Sequence, residues 1–568
     1  MVPPLEIPTP NTAGLPVVAA ILDTFSECCF RYEAALVLLT PSTWREDMDR
    51  STPALLLVES AWLGNSGAWH RLIADNWKLA ENPLQDLLSY CRSNRIPSVF
   101  WNKEDPPSFE TFIDAAKGFD VVLTTDADCI PKYKTLCGHD RVYSMPFAAQ
   151  PKLHNPLRET DWPTHRVAFA GSWSSRGERA ESLTGLLDAA LPFGLHIFDR
   201  NLNRKDLGSK ASELRFPDRY SPAIRGPLDY REMLTAYRCY DVLLNTNSVT
   251  DSSTMFSRRV LESLASGTPV VSGESVGMRR LLGNHVRVAR NLDDASSHLE
   301  ALFADEEGRA REGHLAYRYV HENHTYGHRM ADIWRWTGLP EDDDPTIEVS
   351  ILIVAHRQTT ALRAIEGFAQ QSYAKKELLL VLNGSSFDLD VVGEHAGGLP
   401  DVHILNVEGD TTLGECLNRG TELASGQYVA ALDENCIYGQ RYVADMMLAG
   451  KFADAEILGK GTYYVCSEDG ITLRSARPEH QVTDFVVGST LIARADALSK
   501  FPFANQPENT IAAFVSRAAK DGCRIYSADR FNHVVVNTAA VAIRDNVGRV
   551  GDGLSLFDHG VDLSRALV

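Results

Sequence analysis

No apolar run in the 568-residue chain approaches the roughly 20 residues that a bilayer-spanning helix needs, so a helical membrane protein is excluded. The opening stretch MVPPLEIPTPNTAGLP has neither the basic start nor the apolar core of a secretory signal. A cytoplasmic protein is expected, with peripheral association with a membrane left open. The ten cysteines form no CxxC pair, and the adjacent Cys28 and Cys29 cannot readily bridge each other. Neither a zinc centre nor a disulfide framework is indicated, and buried thiols are expected. Basic side chains are also in deficit, 56 against 75 acidic, giving a net charge of −19. Such a balance argues against nucleic acid or an anionic membrane as the main partner, and an anionic substrate would need a local basic pocket.

Hydrophobic residues make up 44% and charged residues 23%, a globular composition at a length that exceeds one ordinary core. Two or three domains are expected. The most informative stretch is SSTMFSRRVLESLASGTPVVS, residues 252–272. Phe256, Val260, Leu261 and Leu264 recur at helical spacing, Ser252 and Ser253 are placed to cap, Gly267 stops the helix, and Pro269 opens a buried strand. A helix that follows the strand 241–247, which carries Asn245, aims unpaired N–H groups at the strand's carboxyl end, where α/β sheets bind anions. Arg258 and Arg259 stand in its first turn, against the helix dipole, as a bound diphosphate would favour. Glu262 has two readings: a surface ion pair with Arg258, worth only about 0.3 kcal/mol in this order, or a carboxylate holding a ribose diol.

Taken in order, buried strands at 15–22 and 54–60 end at Asp23 and Glu59, and a third empties into Asn102, Lys103, Glu104 and Asp105. Alternation with helices predicts a parallel sheet, with these acids on one edge. One of them is expected to activate an acceptor, with Asp105 preferred. The strand at 167–173 breaks at Gly171, followed by Ser172 and Arg176, and another ends at Asp199 and Arg200, placed to line a nucleotide pocket. Residues 337–348, acidic and proline-containing, read as a linker. Strand and helix signals then restart at 349, and the strand YVAALD ends at Asp433-Glu434-Asn435.

The segment NTNSVTDSSTMFSRRVLESLASGTPVVS, with ESAWLGNSGAW, FWNKEDP and LPFGLHIFDR, resembles GT-B glycosyltransferases of the spore-maturation CgeB-like group over about residues 15 to 335. The resemblance implies two Rossmann-like lobes, residues 1–155 on the acceptor side and 156–336 on the donor side. It implies a nucleotide diphosphosugar held by Gly171, Ser172, Arg176, Asp199, Arg200, Asn245, Ser252, Ser253, Arg258, Arg259 and Glu262, and no metal in this half. Retaining members carry two glutamates eight positions apart. Glu262 fits the second, but Thr254 stands at the first, so retention or inversion stays open. From 349 to 536 the chain resembles family 2 glycosyltransferases of the GT-A fold, which implies a third α/β domain over 349–568. There, Asp-x-Asp usually holds a divalent metal against the diphosphate. By that resemblance Mg or Mn would sit on Asp433 and Asn435, with His533 as a third ligand. Glu508 would be the base, and Asn509 replaces its usual aspartate neighbour. The expected function is a hexosyl-type transferase, bifunctional if both halves turn over, acting on a glycan, lipid-linked or protein acceptor in cell-surface glycoconjugate synthesis. The rivals are a non-catalytic sugar-nucleotide scaffold, in particular for the C-terminal half, and a nucleotide-sugar isomerase or phosphorylase.

Overall fold

The computed structural model describes residues 2–74, 77, 81–160, 162–175, 177–204, 213–340, 346–467, 470–506, 509–536 and 563–568. The chain divides into two compact units, Met1–Pro156 with Trp162–Asp342, and Leu157–Asp161 with Asp343–Val568. The architecture is α/β throughout.

In the first unit, the strands β1 (Val17–Ile21), β2 (Ala35–Leu38), β3 (Leu55–Glu59), β4 (Ser98–Asn102), β5 (Val121–Thr124) and β6 (Val142–Ser144) form a parallel sheet ordered β2-β1-β3-β4-β5-β6. Its central strands are apolar runs without alternation: every residue of LLLVE in β3 is buried. A sheet covered by helices on both faces requires this. The chain leaves β1 to one side, to β2, and then returns to the other side, to β3. The order therefore reverses between β1 and β3, which opens a crevice at their carboxyl ends.

A second parallel sheet contains β7 (His165–Gly171), β8 (Leu195–Asp199), β9 (Tyr240–Asn245), β10 (Val270–Gly273) and β11 (Arg287–Ala289), ordered β11-β10-β9-β7-β8. Here the reversal lies between β7 and β9. The helix Tyr326–Thr337 returns to the first sheet, where Tyr326, Met330, Ile333 and Trp334 share a core with Val18, Leu57 and Trp101.

The second unit restarts with β12 (Val349–Ala355), β13 (Lys376–Asn383), β14 (Val402–Val407) and β15 (Tyr428–Asp433), which run parallel in the order β14-β13-β12-β15. Beyond them come β16 (Cys436–Tyr438), β17 (Ile457–Gly459), β18 (Thr462–Ser467), β19 (Gly470–Ser475), β20 (Gln481–Thr483), β21 (Ile492–Arg494), β22 (Ile525–Ser527) and β23 (His533–Val536). β21, β17, β22 and β20 extend the large sheet with mixed polarity, and β16-β23-β18-β19 make a separate small sheet. The reversal in this unit falls between β12 and β15, the strands that end just before His356-Arg357 and at Asp433.

Candidate functional site

At the β7 exit the second lobe of the first unit collects positive charge. Arg259, in the helix Arg258–Ala265, donates through Nη1 to the carbonyl of Ala170 at 2.6 Å, which carries its guanidinium across the crevice to the end of β7. Arg200 follows β8, and its backbone N–H donates to the Gly171 carbonyl at 3.1 Å. Arg179, in the first turn of the helix Glu178–Ala190, donates to the Ser172 carbonyl at 3.1 Å. Burial holds Arg179 and Arg259 below the usual arginine range, and the neighbouring Arg200 adds to this in both. Asp199 offers little compensation: it is buried, and desolvation raises its pKa toward the neutral form. Ser172 Oγ and Arg179 Nε are buried without a hydrogen-bond partner. Three arginines that sense one another's charge and an unspent hydroxyl at one strand exit are a donor set suited to an anion with several oxygens.

Arg179 is absent from the sequence expectations. Its signal is the one used for Arg258 and Arg259, a cation in the first turn of a helix that follows a strand. Arg176 lies outside the described residues. Gly171 leads into the crevice, but a Cβ there would come within 2.8 Å of the Phe169 ring, so packing alone accounts for the glycine. Asn245 is buried and donates to Ser272 Oγ at 2.9 Å and to Asn247 Oδ1 at 3.2 Å, which turns its amide toward the sheet.

Four expectations need correction. Ser252 and Ser253 do not cap the helix, whose N-cap is Ser257; the Ser257 N–H donates to Asn247 Oδ1. Instead Ser252 Oγ donates to Asp126 Oδ1 at 2.6 Å, and Ser253 binds Asp128 through N–H and Oγ at 3.0 and 2.8 Å. Thr254 Oγ1 donates to the Thr125 carbonyl and accepts from the Ala127 N–H. This loop bolts the second lobe to the exit of β5, and the hydroxyls of Ser252, Ser253 and Thr254 are spent there.

Glu262 is neither a surface partner nor an open ribose ligand. Its side chain is 2% exposed. One oxygen accepts from Arg258, the other accepts from the Tyr237 hydroxyl at 2.5 Å, and His154 lies 3.6 Å away. Burial alone would raise its pKa, but Arg258 and the Tyr237 hydrogen bond bring it below the usual range. Burial pushes His154 down to about 4, so at neutral pH it is uncharged. Glu262 thus anchors Arg258, whose guanidinium lies 4.2 Å from the Phe25 ring centre.

Asp105 is fully buried. Its carboxylate accepts from Asn102 Nδ2 at 2.8 Å, Thr124 Oγ1 at 2.6 Å and the Tyr133 hydroxyl at 3.0 Å, and burial raises its pKa to about 7. No acceptor hydroxyl reaches a group sealed in this way. The carboxylate at the β1–β3 reversal is Asp23, 27% exposed as a side chain. It accepts from Lys103 Nζ at 3.0 Å and from the Gly64 N–H at 3.2 Å. Lys103 also binds Glu59 at 3.0 Å and lies 4.1 Å from the Phe25 ring centre. Phe25 therefore contacts cations from both lobes.

In the second unit, Asp433 stands exposed at the end of β15. Its Oδ1 accepts from the Asn435 N–H and Nδ2, at 2.8 and 3.2 Å. Glu434 is turned to His356, accepting from its N–H at 3.0 Å and pairing with Nδ1 at 2.9 Å, a contact that raises the His356 pKa. Asn435 Oδ1 accepts from Arg357 Nη2 at 3.3 Å. His533 is not a ligand. It is wholly buried in β23, with its ring centre 5.4 Å from that of Tyr438 and Nε2 bonded to Ser489 Oγ at 3.0 Å, and burial lowers its pKa to about 3. Glu508 lies outside the described residues. Among the described residues no three histidine, cysteine or carboxylate groups converge on a metal position. Asp433 and the amide oxygen of Asn435, which Arg357 contacts at 3.3 Å, are the described residues that would hold Mg or Mn, with the oxygens of a bound diphosphate completing its shell.

Residues 196–335 match a family model described as glycosyl transferase-like, and residues 350–489 match glycosyl transferase family 2. No curated protein matches the chain. Similar solved structures include S. aureus TarS 1-349, at 14% identity over 34% of this chain and 61% of that one, with a TM-score of 0.29. TarS 1-349 in complex with UDP-GlcNAc gives 13%, 34%, 59% and 0.28. The Pyrobaculum calidifontis mannosyltransferase PcManGT, in complex with GDP-Man and Mn2+, gives 14%, 41%, 66% and 0.28. This chain spans less than two thirds of the length of each, and likenesses so low carry no argument for its chemistry. Among the described residues no helix is long and apolar enough to cross a membrane. The chain is thus similar, over two successive segments, to glycosyltransferases, the first matching a glycosyl transferase-like model and the second family 2.

Proposed function

We propose that the first unit transfers a sugar from a nucleotide diphosphosugar to a glycan, lipid-linked or protein acceptor. The supporting observation is the β7 exit, where Arg179 binds the Ser172 carbonyl, Arg259 the Ala170 carbonyl and the Arg200 N–H the Gly171 carbonyl, beside the buried, unpartnered Ser172 Oγ. The guanidinium groups hold the diphosphate by charge-assisted hydrogen bonds and stabilise the charge that develops on it as the glycosidic bond breaks. Asp23, held by Lys103 and Gly64 at the facing strand exit, takes the acceptor proton in place of the sealed Asp105. Arg258, fixed by Glu262, lies against Phe25, the ring that Lys103 also contacts. In this reading residues 1–155 and 156–336 are the acceptor and donor lobes of a CgeB-like enzyme, 349–568 is a GT-A-like domain, and the protein works in the cytoplasm on a cell-surface glycoconjugate.

The test is calorimetric titration of the full chain with UDP- and GDP-sugars, followed by assay of nucleoside diphosphate release on adding candidate acceptors. Arg259→Ala should weaken donor binding by about 1.5–3 kcal/mol, the range for a hydrogen bond to a charged group. Unaltered affinity in both Arg259→Ala and Arg179→Ala would remove the diphosphate from this crevice. Donor binding without nucleotide release under any acceptor would favour a scaffold. A specific observation keeps that second reading for the C-terminal half: Asn435 stands where the family pattern has an acid, and Asn509 where it has an aspartate.

A further inference from the structure

Asp433 is the last residue of β15 and stands exposed at the reversal of the second unit, yet its orientation is fixed. Its Oδ1 accepts from the Asn435 N–H and Nδ2, and its backbone N–H donates to the Tyr438 hydroxyl at 2.8 Å. Among the described residues Oδ2 accepts no hydrogen bond. Tyr438 is itself held from several sides. It lies on β16 opposite His533 of β23, with ring centres 5.4 Å apart, and packs edge-on against Tyr442 at 5.0 Å. Its hydroxyl donates to the Ser489 carbonyl at 2.6 Å, in the short turn Gly488–Thr490. That turn is anchored in its own right. Ser489 Oγ is bonded to His533 Nε2 at 3.0 Å, the Tyr442 hydroxyl donates to the Thr490 carbonyl at 2.9 Å, and the Lys460 N–H donates to Thr490 Oγ1 at 2.8 Å. One phenol oxygen therefore accepts from the strand end that carries Asp433 and donates to a turn secured by β23 and by the end of β17.

We propose that Tyr438 is a positioning residue for the divalent-cation contact of Asp433. This rests on the reading of residues 349–568 as a GT-A-like domain. With its N–H held by Tyr438 and its Oδ1 by Asn435, the carboxylate keeps one orientation with Oδ2 open before a nucleoside diphosphate and its cation bind. The described protein oxygens for that cation are few, Asp433 and the Asn435 amide, so the placement of each counts for more than it would among several carboxylates. Loss of a group that orients a metal ligand without touching the metal lowers metal affinity about ten- to a hundredfold. The packing of β16 on β23 needs only the Tyr438 ring, whereas the link to Asp433 needs its hydroxyl. His533, too deeply buried to be a ligand, acts one step further out by holding Ser489.

The experiment uses the full chain carrying Arg259→Ala, which keeps the proposed diphosphate site of the first unit from adding to the signal, with MnCl2 and UDP or GDP as probes. Bound manganese is counted by electron paramagnetic resonance and nucleotide binding in excess EDTA by calorimetry, at a temperature where circular dichroism shows every variant folded. With nucleotide present, one manganese should bind per chain, and Asp433→Asn should abolish it. Tyr438→Phe keeps the ring and removes only the hydroxyl. It should weaken manganese binding about tenfold or more while leaving nucleotide affinity in EDTA unchanged. Combined with Asp433→Asn it should cause no further loss, because the two act through one contact. Ser489→Ala leaves the carbonyl that Tyr438 binds and should weaken manganese binding less than Tyr438→Phe does. Equal manganese affinity in Tyr438→Phe and the parent would overturn the proposal, as would a matching fall of nucleotide affinity in EDTA, which marks a general loss of structure. Nucleotide bound without manganese would overturn the proposal alone, whereas neither nucleotide nor manganese bound would overturn the GT-A-like reading with it. A manganese site that Asp433→Asn removes belongs to the second unit whatever Arg259→Ala does to the first, so failure of the first-unit reading leaves this test intact.

Discussion

Glu262 and Arg258 sit four residues apart on a helix, an arrangement worth a few tenths of a kcal/mol in water, yet the carboxylate is 2% and the guanidinium 26% exposed. Burial changes the magnitude. Glu262→Gln should destabilise the first unit by about 3 kcal/mol, the low end for breaking a buried ion pair, since Arg258 keeps part of its hydration. Thermal unfolding checks this, and Glu262→Gln with Arg258→Met should recover part of the loss. Asp105 gives a pH prediction. Its unfolded carboxyl titrates near about 3.9, whereas burial raises the folded one to about 7. Between those values the native state holds the extra proton, so this group's stabilisation is complete below the lower pKa and lost as pH rises through the upper, at about 1.4 kcal/mol per unit. Asp105→Asn should flatten that slope. Denaturant melts at pH 5 and pH 8 giving equal slopes for parent and variant would refute it.

Among the elements, the helix Glu306–Asn323 shows how close packing outranks propensity. Gly313 lies inside this helix, where alanine would ordinarily gain about 1 kcal/mol. A Cβ at that position, however, would sit 2.3 Å from the carbonyl oxygen of Gly267, which ends the Arg258–Ala265 helix with φ of +76°. Backbone must move to relieve this contact, and overpacking costs about 1–3 kcal/mol. Gly313→Ala should therefore lower the melting temperature and, if the proposed diphosphate site is right, weaken nucleotide binding by shifting the turn after the Arg258–Ala265 helix. A stabilised variant would mean that the two helices yield more easily than the packing implies.

For the whole molecule, residues 337–348 carry five acids and two prolines against two aliphatic side chains, Leu339 and Ile347, a linker composition with little apolar surface to fuse the halves. Limited proteolysis should cut within 337–348 first, and calorimetry should show two transitions, of which UDP- or GDP-sugar shifts the first unit's in the parent but not in Arg259→Ala. Cleavage everywhere except 337–348 would place the boundary elsewhere.

Strand positions and strand ends were legible from the residues alone. Runs such as VSILIVA and YVAALD are too apolar and too short to be anything but buried strands, so Asp433 could be put at a sheet edge, and Arg258 and Arg259 at a helix start, without coordinates. What those side chains touch was decided by tertiary structure. Ser252 meets Asp126, which is 126 positions earlier, and Arg259 meets Ala170, 89 positions earlier, because sheet order and not sequence proximity makes them neighbours. For the same reason no local pattern separates Asp105, which turns inward to Thr124 and Tyr133, from Asp23, which stays open beside Lys103. Spacing along the chain sets which edge a carboxylate occupies, whereas burial and partners, which set its charge and reach, depend on strands that only the folded sheet brings together.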